Sequence, residues 1–183
     1  MAKDFPRLED NHRDFIARQH IFFTASSVAN SHVNLSPRST DTFRVLGPSQ
    51  VAYLDLTGSG NETSAHLRAG GRATIMFCAF EGPPLILRLY GRGRAVVRGT
   101  ARYAELLSVH FTSEPMGARQ FIELDVELVK TSCGYGVPLF HYEDERPSIK
   151  MWAEKKGEEG LAAYRQENNR VSMDGLPASP FEG

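Results

Sequence analysis

From Leu85 to Gly99 the chain reads LILRLYGRGRAVVRG. In an extended conformation Leu87, Leu89, Gly91, Gly93, Ala95 and Val97 fall on one side, and Arg88, Tyr90, Arg92, Arg94 and Arg98 on the other. A long period-two pattern with one apolar and one basic face cannot close a helix. It asks for a sheet with one face on a core. FIELDVELVKT (121–131) repeats the pattern, with Ile122, Leu124, Val126 and Leu128 on one face.

Four shorter segments extend the pattern. HIFFTASS (20–27), VNLSPR (33–38) and VAYLDL (51–56) are strand-like, and RATIMFCAF (72–80) is apolar on both faces, as a centrally buried strand would be. They are separated by VANSH, by the Gly-Pro turn in RVLGPSQ, by a glycine-rich loop and by EGPP. Helical segments fall at 8–18, 62–71 and 101–111, and an interrupted one, broken at Gly157 and Gly160, starts at Ser148. Six strands joined mostly by tight turns predict a mainly β chain, an antiparallel barrel with peripheral helices rather than a doubly wound sheet. The barrel is expected over 1–145, a helical extension over 146–170, and a Pro/Gly/Ser tail, poorly ordered, over 171–183.

Composition excludes several function classes. At 183 residues, 41% of them hydrophobic, the chain makes one domain with a real core. A net charge of −1 disfavours nucleic acid or an anionic membrane as a partner held by bulk charge. The start, MAKDFPRLED, lacks an apolar stretch behind Lys3, and no segment is long enough to span a bilayer, so the expected location is cytoplasmic. Cys78 and Cys133 are far apart and read as small hydrophobes; the six histidines form no HxxxH pair, and there is no GxSxG elbow, so metal and serine hydrolysis have no support.

One motif points to chemistry. TGSGNETSAHLRAGG (57–71) turns from a strand through glycines into a two-turn helix, with Asn61 or Thr63 as N-cap, an arrangement that can hold a phosphate through backbone N–H groups and the helix dipole. Asn61, Glu62 and Thr63 stand where a Walker loop needs Lys and Ser or Thr. Thr63 stands at the third glycine of a dinucleotide fingerprint, and the helix is too short for a parallel crossover. A mononucleotide phosphate on a barrel remains, with Thr57, Ser59, Asn61, Thr63 and Ser64 as donors and Arg38 or the arginine face as the cation. Equally open at this level is a plain turn beside a solvated strand face.

The order HVNLSPR, VAYLDLTGSGNETSAHL, RATIMFCAFEGPP, LRLYGRGR and SCGYGVPLF resembles the pyridoxamine 5′-phosphate oxidase-like family of FMN-binding split barrels, and within it an uncharacterised branch with GSGNET and CGYGVP signatures. The resemblance runs from about Phe15 to Phe140. It implies a six-stranded antiparallel split barrel, a homodimer with FMN at the subunit interface, and a flavin oxidoreductase acting on a small-molecule substrate or taking electrons from NAD(P)H. Carried over residue by residue, the cofactor-binding positions are Ser36, Arg38, Asn61, Thr63, Ser64, Arg88 and Tyr135. Oxidases proper have an Arg-Lys pair where this chain has Thr63 and Ser64, and a glutamine where it has Ile86; their segments gripping pyridoxal phosphate have no counterpart after Cys133. FMN binding survives these departures better than the named oxidase activity. A non-enzymatic flavin or haem binder on the same barrel stays open as an alternative. So does an RNA-contacting strand surface built on the arginine face and Tyr90.

Overall fold

A computed structural model describes residues 2–178. Its strands are β1 (Lys3–Phe5), β2 (Ile21–Ser27), β3 (Asn34–Ser39), β4 (Phe43–Gly47), β5 (Gln50–Leu56), β6 (Arg72–Cys78), β7 (Ile86–Val97) and β8 (Ala118–Ser132). They form one curled antiparallel sheet in the order β3-β2-β6-β7-β8-β5-β4, with β1 paired to β8. Helices α1 (Asp10–Ala17), α2 (Glu62–Arg68), α3 (Ala101–His110) and α4 (Ser148–Asn168) lie around it. The mainly β, split-barrel expectation holds, with eight strands instead of six. The two extra ones are short. β4 forms a hairpin with β5, pairing Phe43 with Tyr53 and Val45 with Val51, and β1 adds three residues to the far end of β8. Neither is long enough to establish a period in sequence.

The inner face of the sheet carries the main core, with Phe22, Tyr53, Phe77, Leu87, Leu89, Ile122, Leu124 and Val129 buried. A second cluster lies on the opposite face, where Leu54, Val96, Ala118 and Phe121 pack under Tyr103 and Leu106 of α3. This helix ends the basic face of β7: Val96, on the same side as the arginines, is covered. A bulge corrects the expectation for β8. Tyr90 pairs with Leu128 and Gly91 with Val126, so Glu127 is the extra residue, and the alternation changes phase there. Val129 enters the core in place of Leu128. At this crossing a Cβ on Gly91 would stand 2.0 Å from the Asp125 carbonyl oxygen, so only glycine fits.

α2 is anchored through Ala65 and Leu67, which are buried against the sheet. α4 breaks where expected at Gly157, whose φ of 66° lies in the left-handed region, but not at Gly160. Buried Ala153 and Leu161 seat its two halves. The poorly ordered tail needs correction over its described part. Residues 171–178 fold back as a tight turn, bridging Val171 with Pro177 and bonding Ser172 N–H to Leu176 O at 2.8 Å and Ala178 N–H to Arg170 O at 2.9 Å. The glycine and proline in this stretch serve a turn rather than a free chain. Residues 179–183, the rest of that expectation, lie outside the described residues.

Candidate functional site

Strand pairing builds one side of the site. On β2, Phe22, Thr24 and Ser26 point inward, and opposite them on β3 stand Arg38, Ser36 and Asn34. Inside a barrel these rows should be apolar; here they turn polar toward the end of the sheet that faces α2. The helix supplies the other side. Ser26 Oγ lies 3.0 Å from His66 Nδ1, and Asn34 Nδ2 donates to Thr63 Oγ1 at 3.0 Å. Thr63, Ser64 and His66 are all buried.

The electrostatic centre is Asp55 on β5, fully enclosed at 2% exposure. Arg38 Nη1 donates to its Oδ1 at 2.7 Å; Arg119 Nε and Gln120 Nε2 donate to its Oδ2 at 2.8 Å each. Burial works against ionisation of Asp55, but Arg119 and Arg38 outweigh it and hold the carboxyl below its ordinary range. Two guanidiniums thus share one carboxylate, and the cluster keeps a net positive charge. Arg38 also lies over the Tyr53 ring, 4.8 Å from its centroid. Among the described residues, its Nε is buried without a hydrogen-bond partner, and so is His66 Nε2. Two buried donor-capable nitrogens without partners are costly unless something else accepts from them.

The glycine loop is held from its outer side. Arg119 Nη2 donates to Gly60 O at 2.8 Å, and Asn169 Nδ2 to Gly58 O at 3.0 Å. Asn61 does not cap α2 through its side chain: its Oδ1 accepts from Gln120 Nε2 at 2.7 Å, and its Nδ2 donates to Asn169 O at 3.2 Å. Thr57 Oγ1 donates to Gly117 O at 2.8 Å and accepts from Arg165 Nη1 at 3.2 Å.

Of the residues singled out in sequence, Ser36, Arg38, Asn61, Thr63 and Ser64 come together around this cluster. Arg88 and Tyr135 do not. Arg88 is on the outer face of β7, with Nη1 donating to Ser132 Oγ at 2.9 Å, and Tyr135, 82% exposed, follows β8. The rest of the arginine face is not a free basic surface. Arg72 and Arg92 pair with Glu127 at 2.5 and 3.5 Å, Arg94 with Glu123 at 2.5 Å, and Arg98 with Glu114 at 2.6 Å. Sequence reasoning missed Asp55, Gln120, Arg119 and Asn169. A lone carboxylate inside the apolar run VAYLDL was the one signal that could have found them.

A family model described as pyridoxamine 5′-phosphate oxidase matches residues 8–133. The pyridoxamine 5′-phosphate oxidase family protein ustO of Aspergillus flavus is 40% identical over 191 residues, covering 94% of this chain and 76% of that protein. Among solved structures, a candidate pyridoxamine 5′-phosphate oxidase from Lactobacillus delbrueckii superposes with a TM-score of 0.54 at 15% identity, over 68% of this chain and 94% of that one. HupZ of Group A Streptococcus gives 0.51 at 18% identity, over 66% and 91%. At these identities the two structures speak for the fold alone.

Proposed function

Because the chain belongs to the pyridoxamine 5′-phosphate oxidase family, we propose that the polar cluster between β2, β3 and α2 receives the phosphate of FMN and that the protein is a flavin-dependent oxidoreductase. The observation that carries this reading is Arg38. It is half-buried beside a carboxylate already served by Arg119 and Gln120, and its buried Nε has no partner among the described residues. A group that is acceptor-rich and negatively charged satisfies both the orphaned nitrogen and the excess positive charge. Ser36, Thr63 and Ser64 add hydroxyls, which compensates for the Arg-Lys pair missing at the start of α2. His66 Nε2 offers a second donor in its protonated or appropriate neutral form. Gly58 and Gly60 have no positive φ, and a Cβ on Gly58 would meet only a carbonyl oxygen 4.0 Å away. At Gly58 the fold does not require glycine, whereas an approaching ligand would; at Gly60 a Cβ would press on the flexible Glu62 side chain, with Oε1 at 3.2 Å.

Flavin, when bound, supplies the electron-transfer chemistry; the chain's residues bind, orient and limit access. The same reading makes the protein a homodimer. On the outer face of the sheet Phe23, Met76 and Leu128 are only half-buried, and Leu35 on the edge strand β3 is 66% exposed. Arg88 belongs to that face, so its contact with flavin, and that of Tyr135, depends on how a second copy covers it. A small-molecule substrate or NAD(P)H completes the reaction.

The test is the visible spectrum of freshly purified protein, titration with FMN and with riboflavin, and reduction by NADH or NADPH. A yellow protein that prefers FMN strongly over riboflavin is expected. A colourless protein that takes up neither would sink the proposal, and a monomeric mass with FMN bound would sink its dimer part.

A further inference from the structure

We infer that Asn169, just beyond α4, is a positioning residue for the cofactor loop, through which the C-terminal extension sets the geometry of the phosphate site. This rests on the phosphate reading of the cluster. Asn169 is wholly buried, and each of its polar groups toward the barrel is engaged. Its Nδ2 donates to Gly58 O, its Oδ1 accepts from Arg119 Nη1 at 2.9 Å, and its backbone carbonyl accepts from Asn61 Nδ2. Arg119 passes the constraint on, donating to Gly60 O and to Asp55 Oδ2, while Asp55 Oδ1 accepts from Arg38. An unbroken chain of hydrogen bonds thus runs from the end of α4 to the cation proposed to meet the phosphate.

The loop needs such a hold from outside. Glycine is the residue whose backbone is hardest to order, and neither Gly58 nor Gly60 is held by a positive φ; a Cβ would meet only Leu56 O at 4.0 Å at Gly58 and only the flexible Glu62 side chain, from 3.2 Å, at Gly60. Their carbonyls are drawn toward Asn169 and Arg119, which orients the peptide planes of the loop. Asparagine suits the position because it is short and carries a donor and an acceptor on the same group. The helix behind it is itself fixed: Leu161 is buried, and Arg165 donates to Thr57. Asn168, by contrast, bonds among the described residues only within its own helix, to Tyr164 O and Glu167.

The experiment compares wild type with Asn169→Ala, Asn169→Asp and Asn168→Ala. It reads FMN and riboflavin affinity, and, without flavin, hydrogen exchange at the amides of Thr57 and Ala65. These bracket the loop and are bonded to Gly117 O and Asn61 O. Asn169→Ala should lose about tenfold in FMN affinity, equivalent to about 1.4 kcal/mol, with riboflavin affinity unchanged and faster exchange at both amides. Asn169→Asp keeps an acceptor for Arg119 but cannot donate to Gly58 and adds a negative charge to the cluster, so its FMN loss mixes charge with loop position; should Asn169→Ala not fold, faster exchange at the two amides in Asn169→Asp decides the matter alone. Asn168→Ala should match wild type. A folded Asn169 variant with the wild-type FMN-to-riboflavin ratio and wild-type exchange overturns the inference. Equal affinity of wild type for the two flavins would instead overturn the phosphate reading, with the exchange data still deciding whether Asn169 holds the loop.

Discussion

Two sets of arginines face opposite sides of the same sheet. On the outer face Arg72, Arg92 and Arg94 are more than half exposed and are matched by Glu127, Glu123 and Asp125 of β8. On the inner side Arg38 and Arg119 surround a single carboxylate, Asp55, out of contact with bulk water. The outer set is neutralised and screened; the inner set is undercompensated in a medium where charge interactions are strong. Number of arginines is therefore a poor guide to how much uncompensated positive charge a face carries. What counts is how many acceptors the fold leaves them.

The sharpest way to break this comparison is to remove the shared counter-ion. Asp55→Ala leaves the buried Arg119 and the half-buried Arg38 without their counter-ion and should cost about 3–5 kcal/mol in urea denaturation, whereas Glu127→Ala removes exposed pairs and should cost less than about 1 kcal/mol. Similar losses at the two sites would mean that the inner cluster is more hydrated than its burial indicates. Next comes Arg38→Ala, expected to weaken FMN binding by about ten- to a hundredfold, the equivalent of a charge-assisted contact of about 1.5–3 kcal/mol. Riboflavin affinity should hardly move, and Arg92→Ala should alter neither flavin. Wild-type FMN affinity in a folded Arg38→Ala protein would make Arg38 a purely structural partner of Asp55.

A pH series separates the faces further. The Asp55 carboxyl is held below its ordinary range, so its contribution to stability is fully present above the unfolded carboxylate pKa of about 3.9 and is lost as pH falls through the lower folded value. Denaturation midpoints of wild type should drop on acidification below about pH 4, and Asp55→Asn should remove part of that drop. An identical acid limb in the variant would assign the loss to other carboxylates. The smallest effect is expected on the outer face: Arg72→Ala and Arg92→Ala should each change stability by no more than about 0.5 kcal/mol. Single-stranded RNA should show no salt-sensitive binding, since the carboxylates already neutralise this face; such binding would revive it as a nucleic-acid surface.

Several of these features are legible in the sequence. Alternation in β7 and β8 announces long half-buried strands, and the interruption at Gly157 is visible because glycine so often marks a helix break. The phase change at Glu127 is not, because a bulge is a property of two strands in register, and only the partner β7 reveals which residue is extra. Asn61 is legible as a polar residue at a helix start. That it turns from the helix to Gln120 and Asn169 depends on side chains 59 and 108 positions away.

By itself the sequence determined the class of fold, the glycine loop, the helical extension and the candidacy of Arg38, since each follows from period, turn chemistry or residue type over short spans. The tertiary structure decided which arginines keep unmatched donors. It also decided that Asp55, Arg119 and Asn169 form one buried network and that residues 171–178 fold back at the end of the extension. Periodicity tells which side of a strand a charge occupies, but its partners come from chain segments brought together only on folding, and in the low-dielectric interior those partners settle whether the charge is satisfied or still open to a ligand.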